Sequence, residues 1–170
     1  MPPRSSDALP RAALEYVDGL YRLAVRLTSD RAAAEDLVQE TFSRALAGAA
    51  TFAVGSNLRA WLFRILRNTQ IDAQRRARVT PIQAGLDDDD ERSAALDGQA
   101  PPQRGRLVSR DVEAALASLS PDARTVILLD LEGWSEAELA EVLGCAPGTI
   151  KSRLSRARAA LRLRLRDYAR

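Results

Sequence analysis

Apolar residues recur at spacings of three and four along most of the chain, a pattern typical of amphipathic helices. The alternating runs of β-branched residues that would indicate strands are missing. The pattern therefore predicts an all-α fold. In the amino-terminal half, helices are expected at about Pro10 to Leu27, Asp30 to Ala47 and Ser56 to Arg76, with Ser56 as an N-cap. Leu14 and Leu46 are expected on the inward faces of the first two helices.

Capping signals mark four more helices in the carboxy-terminal part of the chain. Ser109 and Ser120 are expected N-caps, and Pro121 suits the first helical position. Ser135 and Glu138 have the spacing of a capping box. The helices are predicted at residues 109–117, 120–132 and 135–143, and from 147 towards the chain end.

The segment between the two groups of helices has a different composition. It contains several prolines and glycines, the acidic run Asp87 to Glu91 and scarcely any apolar periodicity. We predict a flexible acidic linker at residues 77–108 that joins two small helical domains, residues 1–76 and residues 109–170. A tether with no role beyond connection is an alternative for this segment.

The second predicted domain contains the spacing of a helix-turn-helix. Ala140 is small where two helices would cross, and Gly144 permits a left-handed turn four residues later. Ile150 is placed to anchor the second helix in the core, while the opposite face of that helix is polar and basic. This combination favours DNA binding through the major groove over a plain helical bundle.

The distribution of charge along the chain is more informative about function than the net charge of +2. Residues 109–144 hold two bases and eight acids, a net charge of −6, whereas residues 145–170 hold eight bases and one acid, a net charge of +7. The basic helix is a candidate surface for nucleic acid. The alternative is a solvated helix whose arginines pair with the acidic neighbour, and charge alone leaves both open.

Several classes of function are excluded by the residues that the chain lacks. It has no histidine and a single cysteine, Cys145, which excludes a disulfide framework, a His/Cys zinc site and histidine-based catalytic triads. We expect no catalytic residues, no metal ligands and no cofactor. No signal peptide or stretch of about 18 apolar residues is evident, so a cytoplasmic protein without a membrane span is predicted.

Three sequence blocks together resemble one protein family. They are Asp36-Leu-Val-Gln-Glu40 followed by Phe42, then Asn57 to Asn68 with Asp72 and Arg75-Arg76, and finally Gly148 to Arg158. Their order and the linker between them resemble extracytoplasmic-function sigma factors, the small promoter-specificity subunits of bacterial RNA polymerase.

The resemblance implies a role for each block, and the roles fall on defined residues. Contact with the clamp helices of the largest polymerase subunit would use Asp36, Gln39 and Glu40. Recognition of the melted minus-ten element would use Phe52, Ser56, Arg59, Arg64, Arg67, Asn68, Arg75 and Arg76. Recognition of the minus-35 element would use Pro147, Gly148, Thr149, Lys151, Ser152, Arg153, Ser155, Arg156 and Arg158.

The resemblance also implies partners and a location. They are core RNA polymerase, through its clamp helices and flap, promoter DNA, and an anti-sigma factor that could hold the protein at the inner membrane. In the holoenzyme the protein would be associated with the nucleoid, and the chain without partners is expected to be a monomer. Two rival interpretations remain at this point: an autonomous regulator that dimerises on a palindrome, and a helical module that imitates a sigma factor to sequester its partner.

Overall fold

The computed structural model describes residues 5–53, 55–79 and 103–168, and all regular elements in these ranges are helical. The predicted all-α fold is confirmed. We define the first lobe as helices α1 to α4 and the second lobe as helices α5 to α8. The helices are α1 Ser5–Ala13, α2 Val17–Thr28, α3 Arg31–Ala47, α4 Leu58–Val79, α5 Gln103–Ala117, α6 Pro121–Leu131, α7 Glu136–Leu143 and α8 Pro147–Arg164, with 3₁₀ turns at Leu14–Tyr16, Ala49–Thr51 and Arg166–Tyr168.

The predicted first helix at Pro10 to Leu27 is wrong, because a 3₁₀ turn at Leu14–Tyr16 divides it into α1 and α2. A 3₁₀ turn has three residues per turn instead of 3.6, so the inward stripe loses its register there. Leu14 is consequently 63% exposed and not inward as expected. The core of this lobe is formed by α2, α3 and α4, with fully buried residues such as Leu20, Leu23 and Leu62.

Asp30, the expected start of the second helix, is the N-cap of α3, since its carboxylate accepts a hydrogen bond from the Ala33 amide at 2.9 Å. The prediction that Leu46 faces inward is wrong, because this side chain is 52% exposed. Ala45 fills the inward position, and each residue is rotated by about 100° from the one before it. The cap of α4 is Asn57 and not Ser56: the Ala60 amide donates to Asn57 Oδ1 at 3.1 Å.

The second lobe follows its capping signals closely. Ser120 caps α6, Ser135 and Glu138 form the predicted capping box of α7, and Gly144 adopts the left-handed conformation at φ 66°. Helix α5 begins at Gln103, so its predicted start at Ser109 is wrong. One glycine, Gly105, weakens a helix by about 1 kcal/mol without ending it. The acidic run from Asp87 to Glu91 lies outside the described residues.

The two lobes pack against each other, chiefly α4 against α7 and α2 against α6. The rings of Phe63 in α4 and Trp134 before α7 lie 4.6 Å apart at an interplanar angle of 59°. Both residues are buried, and they join the cores of the lobes into one cluster. The side of α4 that carries its arginines is therefore placed next to the second lobe.

Candidate functional site

The first group of predicted site residues lies on the polar face of α3. Asp36, Gln39 and Glu40 are all exposed, as the helical pattern predicts. Glu40 Oε1 accepts a hydrogen bond from Arg44 Nε at 2.7 Å, and Arg44 Nη1 also donates to Asp72 Oδ2 at 3.1 Å. Hydrogen bonds to Glu40 and Asp72 raise the pKa of Arg44. Of the three residues, Glu40 thus already has a cationic neighbour within its own lobe.

The loop between α3 and α4 holds Phe52 and Ser56 of the predicted minus-ten group. Phe52 is half-buried, and its ring lies 5.0 Å from the ring of Trp61 at an interplanar angle of 49°. This aromatic pair accounts for the partial burial of Phe52. Ser56 is exposed, and its hydroxyl donates to the Ala53 carbonyl at 2.7 Å, which tightens the loop instead of capping α4.

Three predicted minus-ten arginines of α4 reach across to the second lobe. The Arg59 guanidinium lies 3.7 Å above the ring of Trp134, and its Nη1 lies 3.4 Å from Glu138 Oε1. Arg64 Nε donates to the backbone carbonyl of Glu141 at 2.7 Å. Arg67 pairs with the carboxylate of Asp122. We call Arg59, Arg64 and Arg67 the α4 arginine face.

The other predicted minus-ten residues of α4 stay on the solvent side. Asn68 is exposed and its Oδ1 accepts from Arg67 Nη1 at 2.8 Å. Arg75 and Arg76 are exposed near the carboxyl end of the helix. The structure therefore separates the predicted minus-ten group into a face that the second lobe covers and a part that it leaves exposed.

The second lobe contains the predicted helix-turn-helix. Ala140 is buried at 7% exposure in α7, and the amide of Cys145 donates to the Ala140 carbonyl at 3.1 Å across the left-handed Gly144. Ile150 is fully buried. It packs within the core cluster together with Leu154 and Ala157, and this stripe fixes the rotation of α8 about its axis. The polar face of α8 consequently points outward.

The predicted minus-35 residues divide into an exposed group and a paired group. Thr149 is half-buried, and Arg156 Nε donates back to the Ser152 carbonyl at 3.2 Å. Arg158 Nη2 lies 2.7 Å from Asp130 Oδ2, and Arg153 Nη1 lies 2.9 Å from Asp122 Oδ2 without hydrogen-bond alignment. The exposed residues at the amino end of α8 are Pro147, Gly148, Lys151, Ser152, Ser155 and Arg156.

The basic helix carries both paired and exposed cations. Arg153 and Arg158 pair with acidic residues of α6, as expected for a solvated helix beside an acidic neighbour. Lys151 and Arg156 present their cationic groups on the exposed face, although Lys151 Nζ lies 3.7 Å from Glu136 Oε2. An amino-terminal helix end with short polar side chains and two cations suits contact with phosphates and base edges.

Sequence reasoning missed the second-lobe residues that contact the first lobe. They are Asp122, Arg124, Glu132, Trp134, Glu138 and Glu141. The only signal in the sequence was the net charge of −6 over residues 109–144 beside a net charge of +3 over residues 1–76, which holds 11 bases and eight acids. Charge indicates attraction, but it does not identify the contacting pairs.

Within the residues that the structure describes, no group of three or more His, Cys, Asp or Glu side chains could hold a metal ion. In the same part of the chain, no helix is long and apolar enough to cross a membrane.

Comparison with known proteins identifies both lobes. The family model described as Sigma-70 region 2 matches residues 13–80, and the model described as Sigma-70, region 4 matches residues 109–161. The chain is 41% identical over 158 residues to the ECF RNA polymerase sigma factor EcfG of Rhodopseudomonas palustris, covering 92% of this chain and 84% of the relative. It is 42% identical over 171 residues to SigL of Mycobacterium tuberculosis, covering 94% and 90%.

Two solved structures are similar over nearly the whole chain. The sigma factor RpoE in complex with the anti-sigma factor NepR from Bartonella quintana is 40% identical with a TM-score of 0.67, covering 92% of this chain and 95% of that one. CnrH in complex with the cytosolic domain of CnrY is 26% identical with a TM-score of 0.68, covering 95% and 89%. The chain therefore belongs to the extracytoplasmic-function sigma factors, non-enzymatic initiation factors that bind core RNA polymerase and direct it to promoters.

Proposed function

We propose that three surfaces of this sigma factor divide the work of promoter recognition between them. The observation that carries the proposal is the amino end of α8, where Lys151, Ser152, Ser155 and Arg156 are exposed on a helix anchored by the fully buried Ile150. A rigidly seated helix with an outward row of donors can enter a major groove in a fixed orientation. We propose that this end of α8 recognises the minus-35 element.

The contacts at the minus-35 element follow from the chemistry of each side chain. Arg156 can donate two hydrogen bonds to a guanine edge, which contributes about 1–3 kcal/mol of discrimination. Pro147, Gly148 and Thr149 form the first turn of α8, where backbone amides attract phosphate. Arg153 and Arg158, which the resemblance also placed here, become available for DNA only if they leave Asp122 and Asp130.

The minus-ten element is proposed to bind the α4 arginine face and the preceding loop. Melted DNA offers phosphates to guanidinium groups and unstacked bases to aromatic rings. Phe52 and Trp61 form a ring pair beside Ser56, while Asn68, Arg75 and Arg76 extend the surface along α4. Asp36, Gln39 and Glu40 on α3 are proposed to dock on the clamp helices of the polymerase, where exposed acidic groups suit a basic partner.

The proposed division of labour follows the two lobes, with residues 1–76 as the region 2 domain and residues 109–170 as the region 4 domain that also contacts the polymerase flap. Residues 77–108 are the proposed linker, although α4 extends into this range as far as Val79 and α5 begins in it at Gln103. Control by an anti-sigma factor is proposed because the similar RpoE and CnrH structures hold NepR and a CnrY domain. We place the protein in the cytoplasm, at the nucleoid in the holoenzyme and at the inner membrane when an anti-sigma factor retains it there.

The docking surface can be tested by binding fluorescently labelled chain to core RNA polymerase. Replacing Asp36, Gln39 and Glu40 together by alanine should weaken binding strongly, because three exposed polar groups are removed from one face of α3. A matched control replaces Glu15 and Asp18 by alanine, which removes acidic charge from exposed positions elsewhere in the same lobe. Equal affinity of the triple variant and the wild-type chain would refute the proposed docking face.

A further inference from the structure

A small cavity lies between α4 of the first lobe and the start of α6 in the second lobe. Its volume is about 100 Å³, which is room for more than one water molecule. Arg67, Gln70 and Gln74 line it from the first lobe, and Arg124 and Thr125 line it from the second. The cavity is therefore large enough for a small polyatomic ligand that contacts both lobes.

The lining of this cavity is rich in hydrogen-bond donors. Arg67 and Arg124 contribute guanidinium groups, which donate and do not accept, and Gln70 and Gln74 contribute carboxamides. The two glutamines are four residues apart on α4, so they lie on the same side of that helix. None of the described residues that line the cavity is acidic. Such a lining attracts an anion and repels a cation.

The charge of Arg124 is poorly compensated by its surroundings. Its Nη1 donates to the Leu27 carbonyl at 3.4 Å and its Nη2 donates to the Arg26 carbonyl, whereas its Nε is buried without a hydrogen-bond partner. Burial lowers the pKa of Arg124, and the attraction of Glu113 does not offset that effect. A buried charge without a close opposite charge costs free energy. An anion in the adjacent cavity would supply the missing negative charge.

We propose that the cavity between α4 and the start of α6 binds a small phosphate-type oxyanion through Arg124, Gln70 and Gln74, with Arg67 beside them. A tetrahedral oxyanion offers several acceptor oxygens, and guanidinium groups bind such oxygens with strong, charge-assisted hydrogen bonds. Inorganic phosphate and the phosphate end of a nucleotide share this chemistry. The site is separate from the proposed polymerase-docking face and from the proposed minus-35 surface.

Binding at this site has a consequence for stability, because the two walls of the cavity belong to different lobes. The complete set of donors exists only while the lobes are folded and packed together. A ligand that binds this state and not the unfolded chain raises the free energy of unfolding as its concentration increases. The proposed oxyanion should therefore stabilise the chain in a concentration-dependent and saturable manner.

The test is isothermal titration calorimetry of the full chain with inorganic phosphate at constant ionic strength. We expect one saturable site per chain. Arg124→Gln should weaken binding at least about tenfold, the lower end of what a hydrogen bond to a charged group contributes. Arg22→Gln is the matched control, because Arg22 also reaches the second lobe, where its Nε lies 3.9 Å from Glu132 Oε1, but it is not part of the cavity lining.

A second variant approaches the same site from the first lobe. Gln74→Glu places a carboxylate in the cavity wall, so it should weaken phosphate binding, and it decides the matter if Arg124→Gln does not fold. Thermal unfolding in phosphate gives an independent readout. Phosphate stabilises many proteins through exclusion from their surfaces, so the effect of the site is the part of the stabilisation that Arg124→Gln loses and Arg22→Gln keeps.

A parallel titration with adenosine diphosphate distinguishes the two sources of the oxyanion. Tighter binding than inorganic phosphate, weakened by Arg124→Gln, would identify the phosphate end of a nucleotide as the ligand. Binding of inorganic phosphate that adenosine diphosphate does not exceed would identify the free anion. Either result supports the proposed site, because both require the same donors in the cavity.

Three results would overturn the inference. Absence of saturable binding of both phosphate and adenosine diphosphate to the wild-type chain shows that the cavity is not an oxyanion site. Equal affinities of the wild-type chain and the folded cavity variants show that any binding occurs elsewhere. Equal losses in Arg124→Gln and Arg22→Gln show that the anion responds to the general positive charge of the interface and not to the cavity.

Discussion

The turn of the helix-turn-helix depends on Gly144, and replacing this residue by alanine gives a sharp prediction. Gly144 has φ 66° and ψ 39°, a left-handed conformation that L-residues with a Cβ adopt at a cost of about 1–2 kcal/mol. A Cβ built at this position lies 3.6 Å from Arg64 Nη2, which is ordinary van der Waals contact. The penalty therefore comes from the backbone and not from a clash.

The net effect follows from two opposing terms. Alanine loses about 1–2 kcal/mol in the left-handed turn, and it gains about 0.4–1 kcal/mol because the unfolded chain is less flexible than with glycine. Gly144→Ala should therefore lower the free energy of unfolding by roughly 1 kcal/mol. Gly144→Asn should lose less, because asparagine tolerates this conformation better.

The assay is urea denaturation followed by circular dichroism, with Gly148→Ala as the matched control. Gly148 lies in the first turn of α8 without a positive φ, and a Cβ there meets nothing within 4 Å. The control should be neutral or more stable by up to about 1 kcal/mol. If Gly144→Ala proves at least as stable as Gly148→Ala, the left-handed turn between α7 and α8 is refuted.

Three further predictions concern the second lobe. In urea denaturation, Ile150→Ala should lower the free energy of unfolding by roughly 2–5 kcal/mol and Ile150→Val by roughly 0.5–1.5 kcal/mol. Equal losses in the two variants would contradict the role of Ile150 as a buried anchor. Hydrogen bonds from the Ser135 amide and hydroxyl lower the pKa of Glu138 below its ordinary value of 4.5, so the stabilisation from Glu138 is present above that pH and is lost as pH falls through the folded-state pKa. Glu138→Gln should therefore lose less stability on acidification in pH-dependent melts. The same dependence of stability on pH in both proteins would argue against the capping box. In competition binding to minus-35 duplexes selected from a random library, Arg156→Ala should lose about 1–3 kcal/mol of discrimination between duplexes. Arg162→Ala, at the far end of α8, should lose none. Equal losses in the two variants would contradict the proposed contact between Arg156 and a base.

The parts of the fold that were predicted correctly depend on neighbouring residues in the sequence. The caps at Ser120 and Ser135 each join a side chain to a backbone group a few residues away, and the left-handed Gly144 closes a backbone hydrogen bond to Ala140. Such local hydrogen bonds are encoded within one turn of helix. The helix-turn-helix was predictable for the same reason, because the spacing from Ala140 to Ile150 is local.

The helix boundaries were predicted wrongly where they depend on tertiary packing or on a choice between two neighbouring capping residues. Asn57 competes with Ser56 for the N-cap of α4, and the amide oxygen of Asn57 is the one that accepts from Ala60. The 3₁₀ turn at Leu14–Tyr16 contains no proline or glycine that would indicate a break in the helix. Helical periodicity alone therefore predicted one long helix in place of two.

The contacts between the lobes could not be predicted, because each joins residues far apart in sequence. Arg59 and Glu138, or Arg67 and Asp122, become neighbours only when α4 lies against α6 and α7. The segmental charges indicated attraction between a basic first lobe and an acidic half of the second. Which side of α4 would be covered depends on how Phe63 and Trp134 pack.

The most direct test of the division of labour is run-off transcription with core RNA polymerase on a library of promoters. The wild-type chain should initiate at a restricted set of promoters, and the Asp36/Gln39/Glu40 triple alanine variant should initiate at none. Arg156→Ala should weaken or shift the set through the base at the minus-35 element that Arg156 reads. The account is contradicted if core polymerase with the wild-type chain initiates at no promoter, or if the triple variant initiates as efficiently as the wild type.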